Sequence, residues 1–146
     1  MTVHYYRYDP VEQSAAPPQV PPQMQIRTWQ PGRDGPPRRP ISNFFWWGLA
    51  KAGAFSRPGF TEFCIDEAGK RLHRLIVTPR WYRFPFMAAD DLQIGDVWTC
   101  PKSRRQQLAR IGIAEVHRRF ADEPGAFWYV TAADNAASAR RCSANT

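Results

Sequence analysis

Between Pro101 and Phe120 the chain carries six lysine or arginine residues and a single acid. Lys102, Arg104, Arg105 and Arg110 crowd the start of an amphipathic stretch. The first turn of a helix leaves backbone N–H groups unpaired and presents the positive end of the helix dipole. Cations in the turn that leads into such a helix make a seat for phosphate or pyrophosphate. A solvated basic turn has the same composition, and residue type alone does not separate the two. Two familiar phosphate motifs are absent. The turn lacks the three glycines of a dinucleotide-binding fingerprint, and the chain has no GxxxxGK[ST] loop.

These residues need a frame to hold them. Residues 92–99 read as a strand and 108–120 as a helix, with Ala109, Ile113, Val116 and Phe120 on one stripe and Gly112 beside it, where a sheet can come close. Residues 126–131 form a further strand, so 92–131 is a strand–helix–strand unit of parallel type. Upstream, 61–67 and 71–78 alternate as a hairpin around Ala68-Gly69, and 79–87 is a loop rich in aromatics. Residues 25–29 suit a short first strand. A helix over 44–55, capped by Ser42 or Asn43, carries Phe44, Phe45, Trp46, Trp47 and Leu49, which suit core packing or the wall of an apolar cleft. Asp134 or Asn135 caps a short final helix. Nine of the fourteen prolines lie between Pro10 and Pro40, which marks 1–24 as a disordered, extended arm and 25–146 as the folded domain. The order of elements specifies an α/β (α+β) domain with a mixed sheet.

The 146 residues fit one domain, and the net charge of +7 favours anionic partners. Cys64, Cys100 and Cys142 are odd in number and widely spaced, with no CxxC pair, so neither a disulfide framework nor a zinc site is indicated. They read as reduced thiols of a cytoplasmic protein. No run is long enough to span a bilayer, the longest apolar one covering residues 44–50. No nucleic-acid-binding signature accompanies the basic charge.

The string Arg104-Arg-Gln-Gln-Leu-Ala109 resembles the [Arg/Gln]-x-x-Gly-x-[Gly/Ala] hallmark of the GNAT superfamily, the acyl-CoA-dependent N-acyltransferases. Phe127-Trp-Tyr-Val-Thr-Ala-Ala-Asp-Asn-Ala-Ala-Ser138 resembles the family's next strand and its Asn-x-x-Ser helix entry. The resemblance covers residues 25–142. It implies a mixed, mainly antiparallel sheet flanked by helices, in which the strand before the hallmark splays from the strand after it. It also implies acetyl-CoA or a longer acyl-CoA as co-substrate and a small-molecule amine as acceptor, with no metal. By the same resemblance Val97, Trp98 and Thr99 pair with pantetheine, and Arg104, Arg105, Gln106, Gln107, Leu108 and Ala109 face the pyrophosphate. Asn135 and Ser138 contact the cofactor from the final helix. Gln107 stands where the family has glycine, and Arg105 where glycine is frequent. The family's two closing strands have no counterpart here, so the resemblance implies an open sheet edge and, through it, a homodimer.

Amine acylation needs a neutral amine, a polarised thioester carbonyl and a proton for the departing thiolate. Asp96, His73 and Tyr82 are the first candidates for proton transfer, with Glu62, Asp90 and Asp91 behind them. In simple alternation Asp96 shares a strand face with Leu92, Ile94 and Trp98, where partial desolvation would suit a base. Three function classes follow: an N-acyltransferase, a binding module of that fold without turnover, and a basic nucleic-acid binder.

Overall fold

The computed structural model describes residues 3–8, 19–37, 41–122 and 125–132. Six strands form one sheet: β1 (Val3–Tyr8), β2 (Met24–Trp29), β3 (Thr61–Glu67), β4 (Lys70–Pro79), β5 (Leu92–Thr99) and β6 (Phe127–Ala132). Among the described residues two helices flank it, α1 (Ile41–Lys51) and α2 (Leu108–Arg119), and a short 3-10 turn spans Pro101–Ser103. The spatial order is β1-β6-β5-β4-β3-β2. Every pairing is antiparallel except that of β5 with β6. The mixed, mainly antiparallel sheet expected from the sequence is therefore the architecture observed.

Local chemistry explains the hairpin. Ala68 and Gly69 both have positive φ, 48° and 75°, as the two-residue turns that match strand twist require. The turn sets Glu67 opposite Lys70 and, further along, Phe63 opposite Leu75. One face of the sheet thereby presents Phe63, Leu75, Val77, Leu92 and Ile94, and Val116 of α2 and Phe120 at its C-cap pack on them. Gly112 lies directly over β4: a Cβ there would sit 2.9 Å from His73 Nε2 and 3.1 Å from Leu75 Cδ2. The absent side chain is what lets helix and sheet approach. The opposite face is covered by α1 and the 80–91 loop, where Trp81, Phe84 and Met87 are buried against Trp46, Leu49, Trp128 and Val130.

Asp91 fixes that loop to β6. Its carboxylate accepts the Ala88 and Ala126 amides, each at 2.8 Å, and the Trp128 indole N–H at 2.7 Å. Burial by itself would raise its pKa, but these three donors outweigh burial and hold the carboxyl below the usual carboxylate range. Asp91 is thus a structural carboxylate.

Three expectations change. Residues 3–8 are a strand of the sheet rather than part of an arm, and they pair along the outer edge of β6. The edge on which a homodimer was argued is occupied by the chain's own N-terminal strand. Next, α1 begins at Ile41 and ends at Lys51, with Gly53 at φ 68° beyond its last turn. Ser42 and Asn43 lie inside its first turn and accept hydrogen bonds from Arg74 instead of capping. Finally, Asn43 is the one residue of α1 that is fully buried, and Phe44 and Phe45 are exposed, so α1 is not a core helix. It is apolar over more of its circumference than one sheet face can cover. The expected final helix, with Asn135 and Ser138, falls outside the described residues.

Candidate functional site

β5 and β6 run side by side for only three residue pairs, Leu92↔Phe127, Gln93↔Trp128 and Ile94↔Tyr129. Beyond Ile94 they part, although β5 continues to Thr99 and β6 to Ala132. The parting coincides with an irregularity on the other side of β5. The β4–β5 register runs Ile76↔Gly95 and then Arg74↔Trp98, so one residue on β4 faces two on β5. Asp96, at φ 49°, is the residue in left-handed conformation at this bulge. A bulge adds a residue, bends its strand and reverses the alternation of side chains. From Val97 onward the faces are exchanged. Val97 packs toward the α2 core and Thr99 Oγ1 lies 2.8 Å from His73 Nδ1, while Trp98 is in register with Arg74 on the α1 face. The expectation that Asp96 and Trp98 share a face with Leu92 and Ile94 is corrected by this one residue. The outcome is a wedge with a β5 edge that, among the described residues, has no strand partner on the β6 side from Gly95 to Thr99.

The basic turn follows at the end of β5. Ser103 N–H bonds Cys100 O and Arg104 N–H bonds Pro101 O, which closes the 3-10 turn. The next five amides, Arg105 to Ala109, find no acceptor among the described residues, and the pattern resumes when Arg110 and Ile111 donate to Gln107 O. Arg105 and Gln107 both have positive φ, 75° and 57°. Gln107 is the N-cap residue of α2 in the left-handed region, with no side-chain cap. The two positions where the resemblance leads one to expect glycine are thus the two at which the backbone takes a glycine-type conformation. The side chains of Arg104, Arg105, Gln106 and Gln107 are exposed, whereas Leu108 and Ala109 are buried and anchor the helix start.

The candidate proton carriers fall in three different places. Asp96 forms an ion pair with Arg74, 2.7 Å from its Nη2, at the mouth of the wedge on the α1 face. His73 is fully buried beneath Gly112 and holds Thr99, which is the setting of a packing histidine. Tyr82 is exposed on the aromatic loop, edge-on to Trp81 at 5.3 Å. Glu62 is buried and receives Arg71 at 3.4 Å and Arg74 at 3.7 Å.

Arg74 is a site residue that sequence reasoning missed. Its nearly buried guanidinium joins Ser42 and Asn43 of α1, Glu62 of β3 and Asp96 of β5. Its alternation with His73 and Leu75 could have placed it on the α1 face, but not identified four partners from three other elements. Beside it lies a pocket of about 350 Å³ whose lining includes Arg27, Trp29, Asp34, Glu62, Cys64 and Arg71. Burial pushes the Cys64 thiol up to about 12, with the neighbouring Glu62 carboxylate adding to the effect, so this sulfur is inert as a nucleophile at neutral pH. Among the described residues no group of three or more His, Cys, Asp or Glu could hold a metal ion, and no helix is long and apolar enough to cross a membrane.

The strand order, the single parallel pairing that opens into a wedge, and the helix entered through a left-handed turn define one class of fold, that of the GCN5-related N-acetyltransferases. Solved structures of that class match this chain. One is a tandem GNAT protein from the clavulanic acid biosynthesis pathway, with TM-score 0.60 and 14% identity over 98% of this chain and 48% of that one. A second is the aminoglycoside N-acetyltransferase AAC(6')-Iy in complex with CoA, with TM-score 0.54 and 16% identity over 84% of this chain and 90% of that one. A third, a GCN5-related N-acetyltransferase from Kribbella flavida, has TM-score 0.52 and 12% identity over 87% and 47%. The chain spans about half the length of the first and third of these. At such identities the likeness is one of fold. No family model and no curated protein matches the sequence.

Proposed function

We propose that the protein is an N-acyltransferase that moves an acyl group from acyl-CoA to an amine. The observation that carries this reading is the parting of β5 and β6 at the Asp96 bulge, directly ahead of five amides at 105–109 that have no acceptor among the described residues. An extended thioester arm entering the wedge would meet the free edge of β5 at Val97, Trp98 and Thr99, and its diphosphate would reach the amides and guanidiniums of the turn. In the reaction the amine nitrogen bonds to the thioester carbonyl carbon, the carbon–sulfur bond breaks, and the thiolate takes a proton. A strand N–H at the wedge would polarise the carbonyl. Asp96 stands nearest the mouth as proton acceptor, with Arg74 orienting it; His73 and Tyr82 are placed less well. Acetyl is the donor group that we favour, and a longer acyl chain is the alternative.

A second reading, a binding module without turnover, is favoured by Arg105 and Gln107. Each puts a Cβ and a long side chain at a left-handed position in the seat, where glycine would leave room for phosphate. Thermal-shift titration with CoA, acetyl-CoA and long-chain acyl-CoA tests both readings. A bound ligand at 100 times its Kd stabilises by about 2.7 kcal/mol. Stabilisation with thiol release on adding amines supports turnover, and stabilisation without it supports the binding module. No stabilisation by any of the three overturns both.

A further inference from the structure

Among the described residues seven large apolar side chains are exposed, and five of them lie in two short stretches: Ile41, Phe44 and Phe45 on α1, and Tyr82 and Phe86 on the 80–91 loop. Both stretches belong to the layer that covers one face of the sheet. At 3.6 residues per turn Ile41, Phe44, Phe45 and Gly48 fall on one side of α1, opposite Asn43, Trp46 and Ala50. The inner side is accounted for. Trp46 and Leu49 pack on Trp81, Phe84 and Met87, and Asn43 accepts a hydrogen bond from Arg74. The outer side is open, with Ile41 85% and Phe45 55% exposed. A ladder of ring contacts ties the two stretches together. Phe45 meets Trp46 at 5.3 Å, Trp46 meets Trp81 at 5.6 Å, and Trp81 meets Tyr82 at 5.3 Å. A branch runs from Trp81 to Phe84 at 5.4 Å and on to Phe86 at 6.0 Å. Apolar residues exposed singly need no explanation, but a joined set on one face does.

Charge narrows what covers this face. From Gly35 to Thr61 the sequence holds four cations and no acid, and from Pro79 to Ala89 two cations and no acid. The single charge on α1 is Lys51, whose ammonium lies 5.8 Å from the centre of the Trp47 ring. Lys51 and Arg83 are both exposed. The carboxylates of Asp34, Glu62 and Asp96 are each engaged by an arginine, and Asp91 is held beneath Trp128. A second copy of the chain would set like charge against like across such a patch. Open rings beside unanswered cations suit a phospholipid surface that carries anionic headgroups. Aromatic side chains settle at the boundary between headgroups and acyl chains, and lysine and arginine meet the phosphates. The net charge of +7 adds attraction at longer range. With 11 residues α1 is too short to span a bilayer and would lie along it.

We propose that the face formed by α1 and the 80–91 loop docks on an anionic phospholipid surface, with Phe44 and Phe45 entering the interface and Lys51 and Arg83 meeting the headgroups. This goes beyond the acyltransfer reading and does not depend on it.

Co-sedimentation of the full chain with vesicles tests it, using phosphatidylcholine alone and phosphatidylcholine mixed with phosphatidylserine. Binding to the mixed vesicles should be at least ten-fold stronger and should weaken as salt is raised. Phe44→Ser with Phe45→Ser, and separately Lys51→Glu with Arg83→Glu, should each weaken that binding ten-fold or more. All four side chains are exposed, so both double variants should keep the circular dichroism of the parent; if one does not fold, the other still decides. A chain that binds neither vesicle, or both equally, overturns the proposal. Binding that survives both double variants but is lost on Lys102→Glu with Arg105→Glu belongs to the turn ahead of α2 and overturns it too. So do two results obtained without vesicle binding. Self-association in light scattering that Phe44→Ser with Phe45→Ser abolishes would give the face to a second copy. Capture of poly-glutamate that Lys51→Glu with Arg83→Glu abolishes would give it to an acidic protein.

Discussion

Gln107 concentrates the conflict between sequence and conformation in this protein. A non-glycine residue at φ 57° suffers contact between its Cβ and the backbone, a cost of about 1 kcal/mol. Gln107→Gly should therefore raise stability by up to about 1 kcal/mol, less the entropy that glycine returns to the unfolded chain, and tighten acyl-CoA binding in calorimetry. A variant with unchanged CoA affinity would remove the pyrophosphate from this turn. Gly112 shows the opposite constraint. A methyl group there would press on His73 and Leu75, both held in the sheet, so Gly112→Ala should lose roughly 1–3 kcal/mol in urea denaturation. Both glycine-type positions were named from the sequence, one by the resemblance and one by its place beside the apolar stripe. Their φ values and neighbours were not available there, because a dihedral angle and a contact are properties of the folded chain.

At the scale of elements, α2 is the best-specified part of the chain. Its stripe was legible because a 3.6-residue period leaves a sequence trace. The burial of His117 was not. Its ring stacks on Phe127 at 4.3 Å, and burial lowers its pKa from 6.5 to about 4. The unfolded chain therefore takes up this proton before the folded one does. The contribution is fully present above pH 6.5 and is lost as pH falls toward 4. Stability should drop by about 1–2 kcal/mol between pH 7 and pH 5. His117→Phe should flatten that limb of the pH–melting curve; a parallel curve would mean that other groups carry it. Strand β5 illustrates the limit of periodicity. Its bounds were read correctly, yet the faces of Asp96 and Trp98 were not, because one inserted residue inverts every side chain that follows it.

For the whole molecule, β1 matters most. Without it β6 would present a row of bare N–H and C=O groups, a template for association. Deleting residues 1–8 should produce concentration-dependent oligomers in light scattering and lower the melting temperature. A truncated chain that stays monomeric at high concentration would show that β6 needs no cover. The proline content of the N-terminal region correctly signalled a break in regular structure, but it hid the six residues before it, which pair with β6 across the sheet from β2. Propensity has no range long enough to reveal such a partner.

Sequence alone determined the types of β2 to β6 and of the two described helices, the hairpin, the apolar stripe of α2 and the cluster of cations before it, because each depends on neighbours within a few positions. Tertiary structure alone decided where β5 and β6 separate, which face Asp96 and Trp98 occupy, what Arg74 ties together and which strand closes the sheet. These follow from pairing register and from packing between distant segments, and one bulge at Asp96 is enough to exchange the faces of the β5 residues after it.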